Sequence, residues 1–401
     1  MAKELLLEIG TEEIPAAFLP KALKDMERII AGEFSGLRIG RGRVRTMGTP
    51  RRLVLAVEDV SEMQDDQVIE KMGPSVAVAF DEEGKPTKAA LGFARGQGVD
   101  VSELEIVEMP KGKQICSRKT IAGRDTRAIL TEFLPRFILS IPFQKSMRWM
   151  DLNLRFARPI HWIVALFGGE IIPFSIENIT SSAASRGHRF MAPEAFTVKG
   201  LEDYLTKTEE RFVIVDPERR KTTIRDEARA AAETVSGTVF ENEDLLGEVS
   251  FLVEYPSVVC GTFDREYLAL PKEVLTTAMM KHQKYFPVVD SRGKLLPHFI
   301  TVNNTLARDP SVVARGNEKV IRARLADARF FFEEDRKTPL EDHLEALKEV
   351  VFHSLLGTSY EKVMRFRELA AYIAETVRPG IAPSVDRVAL LCKADLETQM
   401  V

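Results

Sequence analysis

The alternation of apolar and polar positions predicts a chain of mixed strands and helices. Leu5–Ile9 is a short apolar run that stops at Gly10. Thr11 stands where it can cap a helix, with Glu12 and Glu13 at the positive end of the helix dipole and Pro15 in the first turn. Ile14, Phe18, Leu19, Ala22, Leu23, Met26 and Ile30 then recur at helical spacing and predict a helix over Phe18–Glu33 with a core face. Strands are expected within Arg43–Val57 around the Gly48-Thr49-Pro50 turn, and over Leu53–Val60. Residues 61–125 read as strands and loops rich in Gly and Lys, with a short helix in Lys85–Gly98. Ile129, Phe133 and Phe137 mark a helix over Arg124–Leu139. Ile160–Phe167, closed by Gly168-Gly169, is a buried strand or a short helix.

Further along, Glu170–Ile179 alternates loosely as a strand, and Ser185–Phe190 reads as an exposed loop or strand edge. Residues 194–236 are mostly helical around a short strand, Phe212–Val215, with the longer helix starting at Asp216-Pro217-Glu218. Val249–Phe263 is strand-like and Pro271–Tyr285 helical. Phe286–Val289 and Phe299–Asn303 flank a hairpin-like connection at Asp290–Lys294. After Asn304 the pattern turns helical: Val312–Glu333, Leu340–Leu356, Thr358–Val377 and Val385–Val401. Glu318 precedes Arg322 by four on the first of these, a typical surface pair.

A length of 401 residues, 45% hydrophobic and 29% charged, suits a soluble multidomain globular protein. No apolar run reaches the roughly 18 residues that a spanning helix needs, so no membrane is expected as partner. The opening is too short and too acidic for a signal peptide. Cys116, Cys260 and Cys392 sit among apolar neighbours and fit reduced core residues of a cytoplasmic protein. A formal charge of −4 argues against a generic polyanion binder while leaving room for a local basic patch.

Several such patches stand out. Arg38–Arg52 holds six arginines and no acid, and Arg41, Arg43 and Arg45 alternate, so on a strand they share one face. The competing reading is a solvated face with acids opposite. Gln144–Trp149 with Arg155–Arg158, and Lys281–Phe286, interleave cations with aromatics. Such sets grip phosphates and stack unpaired bases; equally, the aromatics are core and the cations pair with acids. No Gly-x-x-x-x-Gly-Lys-[Ser/Thr] loop is present.

Blocks through the whole chain carry a family resemblance. They are Leu5–Ala16, Gly48–Leu53, Lys71–Ser75, Pro142–Trp149, Phe156–Trp162, Thr180–Pro193, Glu254–Pro256, Leu270–Pro287, Val302–Asn304, Gly316–Val320, Ala326–Phe331 and Lys393–Leu396. In this order they resemble the beta subunit of bacterial heterotetrameric glycyl-tRNA synthetase. Beta subunits of that family run on to an anticodon-binding domain, so the resemblance implies an N-terminal fragment. It implies an α+β multidomain fold: an α/β body over 1–174, a B3/B4-like α/β domain over 175–304, a bridging helix over 305–335, and the incomplete start of a helical HD-like domain over 336–401. It also implies a non-catalytic, tRNA-binding and assembly role in an alpha-two beta-two glycine–tRNA ligase. The alpha subunit would then supply the ATP and magnesium chemistry, and this chain would hold no cofactor.

On that resemblance the candidates for tRNA contact are Arg41, Arg43, Arg45, Arg51, Arg52, Lys145, Arg148, Arg155, Arg158, Arg186, His188, Arg189, Lys281, His282 and Lys284. Two hydrolase alternatives stay open. B3/B4-type domains can edit mischarged tRNA, for which His188, Arg189, Glu254, Lys281 and His282 are the polar candidates. HD hydrolases use His and an adjacent His-Asp pair on metal. Here His353 and Asp395 occupy two degenerate positions, with Ala394 where the paired His would stand, so no metal is expected. A pure assembly scaffold is the remaining alternative.

Overall fold

The computed structural model describes residues 2–110 and 112–400. The chain divides into two compact units. One takes in the chain up to Thr222 together with Glu248–Pro256, and the other Thr223–Gly247 with the chain from Ser257 onward.

The first unit is organised by β1 (Ala2–Thr11), which pairs antiparallel with both β3 (Arg52–Ser61) and β7 (Ile160–Phe167). β2 (Val44–Thr49) pairs with β3 across a turn at Pro50-Arg51. Both faces of the central strands are covered, which is why Leu5–Ile9 reads as nearly continuous apolar sequence. Leu5, Leu7 and Ile9 face a core shared with α1 (Leu19–Gly36) and α4 (Thr126–Ser140). Leu6 joins Val54, Trp162 and Val164 in a second core, closed by Leu201 and Tyr204 of α5 (Leu201–Glu209). A separate three-stranded sheet, β4 (Gln67–Ser75), β6 (Gly112–Ile121) and β5 (Glu105–Met109), packs on α2 (Val76–Ala79) and α3 (Lys88–Gln97).

The sheet continues through β8 (Glu170–Ile171), β9 (Ser175–Ile176) and β10 (Ile179–Ser182). β10 lies parallel to β7, so the break expected at 174/175 falls inside one sheet. β11 (Ala184–Arg186) and β12 (Ala195–Thr197) follow as a small hairpin.

Three expectations are corrected in this unit. Thr11 is no helix cap: it ends β1 with its N–H on the Arg51 carbonyl, and the Glu12 N–H donates to Pro159. The first helix starts only at Leu19, after a 3-10 turn over Ala16–Phe18. Phe212–Val215 is not a strand: Phe212 lies in a turn at φ 58°, and Val213–Val215 belong to no ladder. The buried Arg220, on α6 (Pro217–Glu233), takes the carbonyls of Ile214 and Val215 at 2.5 and 3.0 Å, where a neighbouring strand would otherwise donate. It also donates to Ser250 and Gly48, and burial among carbonyls pulls its pKa down to about 10. Of the exposed loop or strand edge expected at Ser185–Phe190, Ser185 and Arg186 do lie on a strand, but Ser185, Gly187 and His188 are buried.

In the second unit, β13 (Thr238–Val239), β15 (Phe286–Val289), β16 (Leu295–Asn303) and β14 (Ser257–Thr262) form a four-stranded sheet in that order. α7 (Glu243–Ser250) precedes β14, whereas a strand was expected from Val249. α8 (Lys272–Thr277) runs into a π-helical turn, Ala278–Gln283. α9 (Pro310–Asp335) buries Ile321 and Leu325 against Phe263, Tyr267 and Phe299. Glu318 accepts from Thr262, and Arg322 reaches Asp264, so the expected Glu318–Arg322 pair does not form. Leu340–Leu356 is not a helix. It holds 3-10 turns at Leu340–Leu344 and Ala346–Lys348, then the hairpin β17 (Val351–His353) and β18 (Gly357–Thr358). Gly357, at φ 82°, makes the turn, and the Thr358–Glu361 capping box starts α10 (Ser359–Val377). α11 (Ala382–Leu391) ends early, and Asp335 holds the N–H groups of Gln399 and Met400. Among the described residues no helix is long and apolar enough to cross a membrane.

The charged heart of the first unit is Arg52, fully buried on β3. Its Nε donates to Glu254 Oε1 at 2.9 Å and its Nη1 to Glu8 Oε1 at 3.2 Å and to the Arg186 carbonyl at 2.9 Å. Thr49 donates to the same Glu254 oxygen at 2.6 Å. Glu8 also accepts from Trp162 Nε1 at 2.9 Å and from the Tyr204 hydroxyl at 2.8 Å. Burial alone pushes the Glu254 carboxyl up. The Arg52 guanidinium, with Thr49 and Arg51, more than reverses this and holds it below the ordinary carboxylate range.

Glu254→Ala is therefore expected to cost about 3–5 kcal/mol, because it leaves a guanidinium buried without one of its carboxylates. Urea unfolding reads this; a loss below about 1 kcal/mol would mean that Glu8 alone balances Arg52. The folded pKa of Glu254 lies below its unfolded value. Its contribution is thus fully present above a pH of about 4.3 and is lost as pH falls through the folded value. Acid melts of the wild type should steepen there, and those of Glu254→Gln should lose that component.

Candidate nucleic-acid interface

The strand ends that carry the buried cluster also shape one surface. Gly10 lies opposite Trp162 on β7 and Arg52 on β3. A Cβ at Gly10 would stand 1.9 Å from the Trp162 ring, so the indole lies directly over bare backbone. The guanidinium carbons of Arg51, Arg52 and Arg186 lie 5.7, 5.5 and 6.0 Å from the same ring.

Beyond the ring the acids of the opening segment form a ridge. Arg189 bridges Glu12 and Glu13 at 2.9 and 3.1 Å, and His161 Nε2 stands 3.4 Å from Glu12. Burial raises the Glu12 carboxyl, but Arg189, the Glu13 N–H and Arg51 outweigh it and hold the carboxyl low. Arg51 differs from its neighbour Arg52. It is 8% exposed, and among the described residues no carboxylate lies within ion-pair distance and its side chain makes no hydrogen bond. Burial, with Arg189 and Arg52 nearby, depresses its pKa.

The loop between α4 and β7 resolves one ambiguity left by its composition. Met147 and Phe156 exchange backbone hydrogen bonds and pinch the loop. Phe143 and Phe156 meet edge to face at 4.9 Å, and Phe156, Leu154 and the partly buried Trp149 belong to the core. Lys145, Arg148 and Arg155 are left exposed, with Arg158 half-buried. Among the described residues no carboxylate pairs with any of the four. Neighbouring cations behave differently: Arg124 and Arg127 pair with Glu132 and Glu170.

The remaining candidates separate by position. Arg52 and His188 are fully buried, so neither can meet a phosphate as the chain is folded, and both leave the contact set. His188 Nδ1 instead accepts from the N–H groups of Phe190 and Met191 and shapes the turn after β11. Arg186 is exposed, whereas Arg189 is engaged by acids. Arg41 and Arg43 precede β2 and only Arg45 lies within it, so the three do not share a strand face. Glu58 and Asp59 run alongside them, yet none of the three is in an ion pair among the described residues.

Lys281, His282 and Lys284 lie at the π-helical turn of the second unit, where Tyr285 is buried and stacked on Phe299 at 4.8 Å. The five editing candidates are thus divided between the units, and Glu254 is spent on Arg52. His353 is on a hairpin and Asp395 in a 3-10 turn, both exposed, not on the helices expected. Among the described residues no three His, Cys, Asp or Glu side chains are grouped to hold a metal.

Glu8, Tyr204, Arg220 and His161 were not singled out from sequence. Glu8 alone carried a legible signal, as one acid within a strand otherwise apolar on both faces.

Arg189→Ala is expected to raise the Glu12 pKa toward the ordinary value of about 4.3, followed by NMR titration of the side-chain carboxyl. Because both groups are about a third exposed, the stability change should stay within about 1 kcal/mol. An unmoved Glu12 would assign its low value to Arg51 and the Glu13 N–H.

Comparison with known proteins agrees with this layout of blocks. Residues 5–401 match the family profile described as glycyl-tRNA synthetase beta subunit. The glycine–tRNA ligase beta subunit of Syntrophus aciditrophicus is 65% identical over 401 residues, covering all of this chain and 58% of the relative. Those of Citrifermentans bemidjiense and Geobacter sulfurreducens are 56% and 55% identical with the same coverage. The chain thus spans 58% of the length of these relatives. It belongs to the glycyl-tRNA synthetase beta subunit family.

Proposed function

We propose that this chain is the part of a cytoplasmic glycine–tRNA ligase that grips tRNA(Gly) and helps assemble an alpha-two beta-two enzyme. In this reading the alpha subunit activates glycine with ATP and magnesium, and this chain holds no cofactor of its own. In this reading the B3/B4-like portion expected at 175–304 is divided in sequence between the two units, and residues 336–401 begin an HD-like domain. The observation that carries the tRNA reading is the loop of residues 142–159. Its phenylalanines pack on the core, Trp149 is half-buried, and its exposed cations have no carboxylate partner among the described residues. Exposed cations without acids repel one another and are stabilised by a polyanion, whose binding releases counterions. The exposed Arg186 adds positive charge beside Trp162, with the buried Arg51 within 5.7 Å of the same ring.

The test is the salt dependence of tRNA(Gly) binding. A Lys145→Ala, Arg148→Ala, Arg155→Ala variant should weaken binding and flatten the log–log salt slope by about 2–3, at about 0.7–0.9 per phosphate contact. An unchanged slope would favour the scaffold reading, in which these cations face no RNA. The division of labour has its own measurement. The chain without an alpha subunit should show no glycine-dependent exchange of pyrophosphate into ATP, and robust exchange would refute that division.

A further inference from the structure

Both tryptophans of the sequence, Trp149 and Trp162, line one surface pocket of the first unit. Its cavity is about 350 Å³, within the range of about 300–1,000 Å³ usual for small-ligand sites. One wall comes from the basic loop, as Trp149 and Met150. β10 and the turn before it contribute Asn178 and Thr180, and β7 contributes His161.

Three features set this pocket apart from a chance dimple. Both lips are shaped by residues in left-handed backbone, Met150 at φ 52° and Glu177, beside Asn178, at φ 51°. That conformation disfavours residues with side chains; Glu177 takes it in the two-residue turn that joins β9 to β10, which puts Asn178 at the tip of a hairpin. Met150 is 80% exposed, a large apolar side chain kept in water at the rim. Asn178 is exposed, and among the described residues its amide makes no hydrogen bond to protein. Its donors and its acceptor are therefore available together.

Trp162 contributes only an edge, since Gly10 and three guanidinium groups already surround its ring. Trp149 is the half-buried aromatic left for stacking. Arg148 precedes it in the chain and Arg158 precedes the pocket residue Pro159, while the acids Asp151 and Glu177 adjoin Met150 and Asn178. No carboxylate lines the pocket.

We infer that this pocket takes one unpaired nucleobase of a bound RNA strand, stacked on Trp149 and read at its edge by Asn178. Arg148 and Arg158 hold the adjoining phosphates. The inference rests on the reading that the chain binds tRNA, and it adds a site for a base extruded from, or lying outside, the paired helix. A flat π-face suits an aromatic wall, and a base edge offers donors and acceptors that one amide can meet together.

The two tryptophans provide the readout. The chain is titrated with a short unstructured oligoribonucleotide and with a blunt RNA duplex of equal length, following tryptophan fluorescence and, separately, anisotropy of a labelled RNA. The single strand should quench the fluorescence and the duplex should not. Trp149→Leu should remove the quench and weaken single-strand binding about ten-fold. Asn178→Ala, at an exposed position that does not endanger folding, should weaken it several-fold with the salt slope unchanged, because no phosphate contact is lost.

RNA binding by anisotropy with silent tryptophans and an unaffected Asn178→Ala variant would overturn the base pocket and leave the tRNA reading standing. Equal quenching by the duplex would also overturn it, because its bases are stacked away. Quenching by an alpha subunit but not by RNA would make the pocket a protein interface, against the inference. Failure to bind any RNA at low salt would sink both readings.

Discussion

A single guanidinium, that of Arg52, organises the first unit. It sits at zero exposure between Glu8 of the central strand and Glu254 of a segment that returns much later in the chain. It also donates to the carbonyl of Arg186, and shares Glu254 with Thr49. In a low-dielectric interior an ion of either sign is costly alone, so these segments are stable only together. Such a pair adds little over a well-packed apolar core of equal volume. Its effect lies in the cost of arrangements that leave one partner unmatched. Arg220 works differently, with no carboxylate bonded to it. Its N–H groups replace the strand partner that Ile214 and Val215 lack.

The surface follows from this interior. Because Glu8, Arg52 and Trp162 fill one face of the sheet near Gly10, the strand ends emerge side by side. They bring Glu12, Glu13, His161 and Arg189 into contact from segments far apart in sequence. The acids of the ridge are paired with Arg189, whereas the cations of the basic loop have no carboxylate partner among the described residues. The difference lies in which faces of each segment are consumed by packing. The loop has used its phenylalanines as anchors and turned its cations outward.

Much of the fold was legible in local pattern. The strands at the start of the chain and after Arg52 follow from unbroken apolar runs, and α1, α4 and α10 from helical spacing, while Ile160–Phe167, open between strand and short helix, is a strand. The misreadings have two causes. Thr11 has the chemistry of a cap, but its N–H is taken by a neighbouring strand end. Phe212–Val215 has strand composition, but a buried arginine occupies the partner's place. Leu340–Leu356 has helical spacing, but a left-handed Gly357 and a capping box restart the chain. In the first two a distant partner outweighed a correct local preference, and in the third a local turn and cap did.

By itself the sequence determined the family, through the order of its blocks, and the apolar faces, through their periodicity. It also determined that positive charge would collect in a few short segments. It could not determine which of those charges remain available. Arg51 and Arg52 are adjacent and chemically identical, yet one is locked between carboxylates and the other is left without one. That difference was decided only by tertiary structure. The availability of a guanidinium depends on the dielectric around it and on carboxylates contributed by remote segments, and neither quantity is written in the local order of residues.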